Sequence, residues 1–266
     1  MHTFRYVLTT VIFSLALLST ANAEQANEPS EMWPSLKQAY FNDRHIREQA
    51  DDLLELEAPK RAEDAAIVPL RIYAKHAQTT AHYIQNLHIF IDNNPMPYSA
   101  NFTLSPTMQQ LDIATRVRVD SYTHIRAIAE MNDGSLHMVS RFVKASGGCS
   151  APAGKDQAAA IARLGKMQIR MRKAEIGQTT QAQIIVSHSN NSGLQMDLKT
   201  RGYIPAHYVK TMQVMFNETP LIKLDAGISI SEDPSIRFRF TPQETGVLTA
   251  KVVDSKGEIF IHEKEI

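Results

Sequence analysis

Short apolar runs with a period of two recur along most of this chain, and turn signals separate them. That pattern constrains the fold more than any other feature. Leu87, Ile89 and Ile91 alternate with Asn86, His88 and Phe90 before the turn residues Asp92-Asn93-Asn94-Pro95. Further strand-like runs fall at 101–104, 113–119, 124–130 and 136–143, with Asn132-Asp133-Gly134 as a hairpin turn between the last two. A second block repeats the pattern at 166–172, 182–187, 209–216, 221–224, 236–240, 247–253 and 259–262. Many short strands in two blocks predict a mainly β protein of two Ig-like β-sandwich domains. Before them, Leu36, Ala39, Tyr40, Ile46, Ala50, Leu53 and Leu54 recur at helical spacing between Pro34 and Pro59, which predicts an N-terminal helix over Ser35–Glu57.

The two blocks are separated by a segment rich in small residues, Lys144 to Gly165, with a short helix expected near Ala158–Ala162. The expected organisation is therefore a signal peptide at 1–23, a helix and first sandwich at 24–143, a linker at 144–165 and a second sandwich at 166–266. The signal reading rests on Arg5, the apolar stretch Val7–Leu18 and the Ala21-Asn22-Ala23 cleavage pattern. It implies a periplasmic protein, cleaved after Ala23, with no membrane attachment afterwards. The 28 basic and 28 acidic residues cancel, so no electrostatic footprint for nucleic acid exists.

The chain has one cysteine, Cys149, which excludes an intrachain disulfide and a cysteine-based zinc site. Gly147 and Gly148 precede it, and Ser150-Ala151-Pro152 follows. Such surroundings predict an exposed thiol on a flexible Gly147-Gly148 arm; the alternative is a small buried apolar cysteine. His188 and His207 carry no metal-ligand spacing, and no nucleophile elbow, phosphate loop or cofactor motif occurs. Arg116 and Arg118, like Arg237 and Arg239, alternate with apolar residues as the solvated face of a strand would.

Phe142-Val143-Lys144-Ala145-Ser146-Gly147-Gly148-Cys149, with Ile91–Pro95 and Thr115–Val119 upstream, resembles the sulfur-carrying subunit SoxY of bacterial sulfur oxidation. His188, Gly193, Asp197, Ile204–Val209, Ser229–Pro234 and Arg237–Phe240 resemble its partner SoxZ. The resemblance runs from about Trp33 to the C-terminus and is greatest for fused SoxYZ-like carriers found beside quinoprotein alcohol dehydrogenases. It implies pairing of the two domains within one chain. It also implies a carrier without catalytic residues, metal or cofactor, whose Cys149 holds a small group such as a sulfur species for partner enzymes that handle redox or sulfur chemistry. The other reading is a non-catalytic binding or accessory module for a quinoprotein (PQQ) alcohol dehydrogenase. Two departures stand out: Cys149 is not followed by Gly-Gly and the chain end, and its arm is tethered on both sides.

Overall fold

The computed structural model describes residues 30–151, 157–197 and 200–266. The expected signal peptide lies outside the described residues. The chain forms α1 (Trp33–Phe41) and β1 (Ile46–Arg47), β2 (Leu54–Glu57), β3 (Val68–Ala74), β4 (Ile84–Ile91), β5 (Tyr98–Leu104), β6 (Asp112–Val117), β7 (Thr123–Met131) and β8 (Leu136–Val143). Then come α2 (Gln157–Ala162), β9 (Met167–Met171), β10 (Thr180–Val186), β11 (Val209–Phe216), β12 (Thr219–Ala226), β13 (Ser235–Phe240), β14 (Val247–Asp254) and β15 (Ile259–Glu265). The fold is mainly β, as the period-two runs require.

Each half contributes to the same two sheets. One sheet runs β1-β8-β7-β4-β5-β12-β11-β14-β15, and the other runs β2-β3-β6-β13-β10-β9. The halves therefore join edge to edge rather than face to face. In the first sheet β12 pairs antiparallel with β5, from Ile222 opposite Leu104 to Ala226 opposite Ala100. In the second, β13 meets β6 at Arg237 opposite Ala114. The seam strands thus pair with one another, along five residue pairs between β5 and β12 and at one between β6 and β13, which reduces an edge liability that two separate sandwiches would carry. The inward residues, among them Leu87, Phe102, Ile113, Ile184, Val214 and Phe238, form one continuous core across both halves.

The helix expected over Ser35–Glu57 ends at Phe41. Asn42 adopts a left-handed backbone at φ 51°, which stops it. Beyond that turn, Leu54 and Leu56 are buried and alternate with Glu55 and Glu57, a strand pattern that pairing with β3 selects. The helical spacing was coincidental there, because short apolar runs satisfy both periods. Helix α1 packs Trp33, Leu36 and Phe41 on the outer face of the larger sheet, against Phe90, Ile128, Leu136 and Met138. Under this helix, Arg126 forms a buried ion pair with Asp92 at 2.8 Å and stacks 4.5 Å from the Trp33 ring.

Candidate functional site

The end of β8 leads directly to the cysteine. Lys144 bridges in parallel to Arg61 and donates its N–H to the Lys60 carbonyl at 2.9 Å. The Gly147 N–H then donates to the Asp120 carbonyl at 2.7 Å, and the Gly148 N–H to the Val119 carbonyl at 2.9 Å. Gly147 sits at φ +78°, a conformation that favours glycine. Gly148 lies so close to the chain beneath it that a Cβ would stand 2.0 Å from the Ala65 carbonyl oxygen. The two glycines therefore let this backbone dock; they do not leave it free. The segment expected as a flexible Gly147-Gly148 arm is thus docked in this structure.

Cys149 is completely buried, at 0% exposure, which also overturns the expected exposed thiol. The second half of the chain holds its backbone. The Ser192 hydroxyl donates to the Cys149 carbonyl at 2.6 Å. Ser192 is itself fixed, because its N–H donates to the Gln195 side-chain oxygen at 2.9 Å. No apolar residue neighbours Cys149 in sequence, so local reading had no means to foresee its burial, nor that a loop 43 residues away would hold its carbonyl. Burial pushes the thiol pKa up to about 12, and the Asp120 charge acts in the same direction. The Arg118 charge opposes both. In this state the cysteine is a neutral thiol and a poor nucleophile.

Arg118 is the main polar pin between the halves, not part of a solvated strand face. It is 2% exposed and donates from Nη1 to the Asn190 carbonyl at 2.6 Å and the Ile230 carbonyl at 3.0 Å. Burial lowers its pKa, and the Glu232 charge acts against that shift. The Asn93–Asn94 turn, read as a turn from sequence, supports the same strand end. The Asn94 amide donates to the Arg118 carbonyl at 2.8 Å and to the Ser229 hydroxyl at 2.9 Å, and its oxygen accepts the Asp120 N–H at 2.9 Å.

Next to this pin the fold assembles a cluster no local spacing announced. His188, His207 and Asp254 bring a potential ligand atom each within 4.8 Å of one another. Asp254 Oδ2 pairs with His207 Nε2 at 2.6 Å and lies 3.6 Å from His188 Nε2. Its Oδ1 accepts the N–H groups of Lys256 at 2.8 Å and Glu258 at 2.9 Å. Burial pushes the Asp254 carboxyl up, but the His207 bond and these N–H groups outweigh it and hold it low. Burial, then the His207 charge, lowers the His188 pKa to about 4, with Asp254 opposing. The Asn190 N–H donates to His188 Nδ1 at 2.9 Å, so neutral His188 carries its proton on Nε2. That nitrogen is a donor facing a carboxylate, not a lone pair for a metal. The tie to the end of β14 runs through His207, whose Nε2 bonds Asp254 and whose backbone N–H donates to the Asn191 carbonyl at 3.0 Å, while His188 Nε2 has no hydrogen-bond partner among the described residues.

Two edge-joined Ig-like sandwiches with the single cysteine in the connection between them define a tandem-domain β protein whose candidate site lies at the domain seam. Residues 37–149 match the family "Sulfur oxidation protein SoxY" and residues 169–265 match "Sulphur oxidation protein SoxZ". The chain is therefore a SoxYZ-like protein, carrying both domains in tandem. Among solved structures it is similar to the sulfur carrier protein SoxY from Chlorobium limicola f thiosulfatophilum, at 24% identity over 43% of this chain and 91% of that one, TM-score 0.35. It is also similar to a superoxide reductase (neelaredoxin) from Ignicoccus hospitalis, at 15% identity over 37% and 94% of the two chains, TM-score 0.33. Fibronectin(III)-like modules of Clostridium thermocellum CbhA share 8% identity over 80% and 93%, TM-score 0.24. No curated protein matches the sequence.

Proposed function

We propose that this SoxYZ-like protein is a periplasmic sulfur carrier that holds a sulfur species covalently on Cys149 and presents it to partner enzymes. The observation that carries the reading is positional: the SoxY match ends on Cys149, the only thiol of the chain. Loading by exchange needs no catalytic group of the carrier. The Cys149 thiolate attacks the sulfane sulfur of a partner persulfide, an S–S bond forms at Cys149 as the partner's breaks, and the partner thiolate leaves with the electron pair.

Because the thiol is buried, the carrier must open locally to work. The Gly147 and Gly148 N–H bonds and the Ser192 bond to the Cys149 carbonyl hold the segment down. At about 1 kcal/mol net for each, release costs on the order of 3 kcal/mol. That leaves an open population on the order of one in a hundred. Reduced native protein is then expected to react with iodoacetamide at Cys149 roughly a hundredfold more slowly than a short peptide, yet far faster than global unfolding allows. Intact mass of protein from its native periplasm, before and after reductant, tests the function itself: a reducible adduct on Cys149 is expected.

The complete burial of Cys149 favours a second reading, in which the chain is an accessory module for a quinoprotein (PQQ) alcohol dehydrogenase and the cysteine serves only to pack the seam. Labelling that tracks global unfolding, with a bare thiol under all growth conditions, selects that reading.

A further inference from the structure

The outer face of the six-stranded sheet carries a row of arginines that crosses the seam. The pairing register sets them side by side. Glu57 on β2 lies opposite Arg71 on β3, Arg71 opposite Ala114 on β6, and Ala114 opposite Arg237 on β13. Arg237 then lies opposite Gln183 on β10, and Gln183 opposite Arg170 on β9. Residues opposite one another in register share a face, so these side chains stand in one line. Arg116, two residues along β6 from Ala114, joins them on the same face. All of these residues line one open groove of about 660 Å³.

Little on this face neutralises the row. Arg71 pairs with Asp112 and Glu57, and Arg239 pairs with Asp112 from the neighbouring row. The remaining arginines find only neutral acceptors or none. Arg116 donates to the Asp233 backbone carbonyl at 2.8 Å, and Arg170 to the Gln168 amide oxygen at 2.9 Å. Arg237 is exposed, and its guanidinium has no hydrogen bond or ion pair among the described residues. The groove therefore holds an uncompensated positive charge, although the chain as a whole is neutral. Neither half has this row alone: Arg71 and Arg116 come from the SoxY-like half, Arg170 and Arg237 from the SoxZ-like half.

We infer that this groove is a docking surface for an acidic polypeptide segment of a partner protein. From β3 to β9 the row crosses four strand spacings, roughly 19 Å at ~4.8 Å each. That length exceeds a simple anion and matches about six residues of extended chain at ~3.3 Å per residue. Planar guanidinium groups take carboxylates with two parallel hydrogen bonds, which suits aspartate and glutamate side chains. The face is also well placed. The chain leaving β6 at the groove reaches Val119 two residues on, whose carbonyl holds the Gly148 N–H beside Cys149. The inference concerns the arginine row and stands whether or not Cys149 carries sulfur.

Binding of fluorescent oligoglutamate peptides of three and eight residues to the full chain, at low and at physiological ionic strength, tests it. The eight-residue peptide is expected to bind more tightly than the three-residue one, and salt should weaken it. The variant Arg170→Gln/Arg237→Gln alters exposed side chains and should fold normally, with an unchanged melting temperature. It is expected to lose about tenfold in affinity for the longer peptide. The control Lys210→Gln/Lys256→Gln removes the same charge away from the groove and should bind as wild type does. Four results would overturn the inference: no binding at low salt, equal weakening by the control, affinity independent of peptide length, or displacement of the peptide by anionic lipid vesicles that need the same arginines. None of these measurements involves sulfur loading, so they leave the carrier reading to its own test.

Discussion

Replacing Gly148 by alanine would set a methyl carbon 2.0 Å from the Ala65 carbonyl oxygen, a separation that side-chain adjustment cannot relieve because the neighbour is backbone. The segment must then lift. Gly148→Ala is accordingly expected to speed alkylation of Cys149 by tenfold or more while the rest of the fold persists, as judged by circular dichroism. The Cys149 sulfur has no hydrogen-bond partner among the described residues, so the serine variant buries a hydroxyl in place of a thiol. An unsatisfied buried hydroxyl costs about 1–3 kcal/mol, and urea unfolding of Cys149→Ser should show a loss in that range. A surface position would have shown almost none. His188 gives a third test at this scale. Its folded pKa of about 4 lies below the ordinary 6.5, so between those values the unfolded chain binds more protons than the folded one. Stability is therefore complete above pH 6.5 and falls as pH drops towards 4, by roughly 3 kcal/mol. In His188→Asn an amide oxygen replaces Nδ1 as acceptor for the Asn190 N–H, and this part of the pH slope should disappear.

At the scale of elements, α1 covers the outer face of the larger sheet, where β7 would otherwise expose Ile128 and β8 would expose Met138. Trp33 anchors it, edge-on to Phe90 at 5.8 Å between ring centres and face-on to the Arg126 guanidinium. Trp33→Ala should cost about 3–5 kcal/mol in equilibrium unfolding, since it removes a large buried ring from a packed site. A loss under 1 kcal/mol would show that the helix merely rests on the sheet. The strands were legible in the sequence because alternation is a local property of a half-buried strand. In the SoxZ-like half, Val209–Phe216 was read at its observed bounds, and Ser235–Phe240 and Val247–Asp254 differ from the reading by a residue at one end. Strand β2 was not legible: its neighbours also satisfy helical spacing, and only pairing with β3 settles the choice.

For the whole molecule, the decisive feature is that both sheets continue across the seam. Separating the halves would bare the edges of β5, β12, β6 and β13 and strand the Arg118 guanidinium away from the Asn190 and Ile230 carbonyls. The chain is expected to unfold in a single calorimetric transition, with equal van't Hoff and calorimetric enthalpies. Two resolved transitions would show that the seam contributes little. The sequence by itself determined the strand-rich blocks, the place of the connection between them and the position of the only thiol, because periodicity, turn chemistry and residue count are local facts. Only the tertiary structure decided that this thiol is buried, that Arg118 is a pin and that Arg71, Arg116, Arg170 and Arg237 share one groove. Each of those outcomes depends on strands and loops distant in the chain meeting at a seam, and no local pattern encodes which edges will pair.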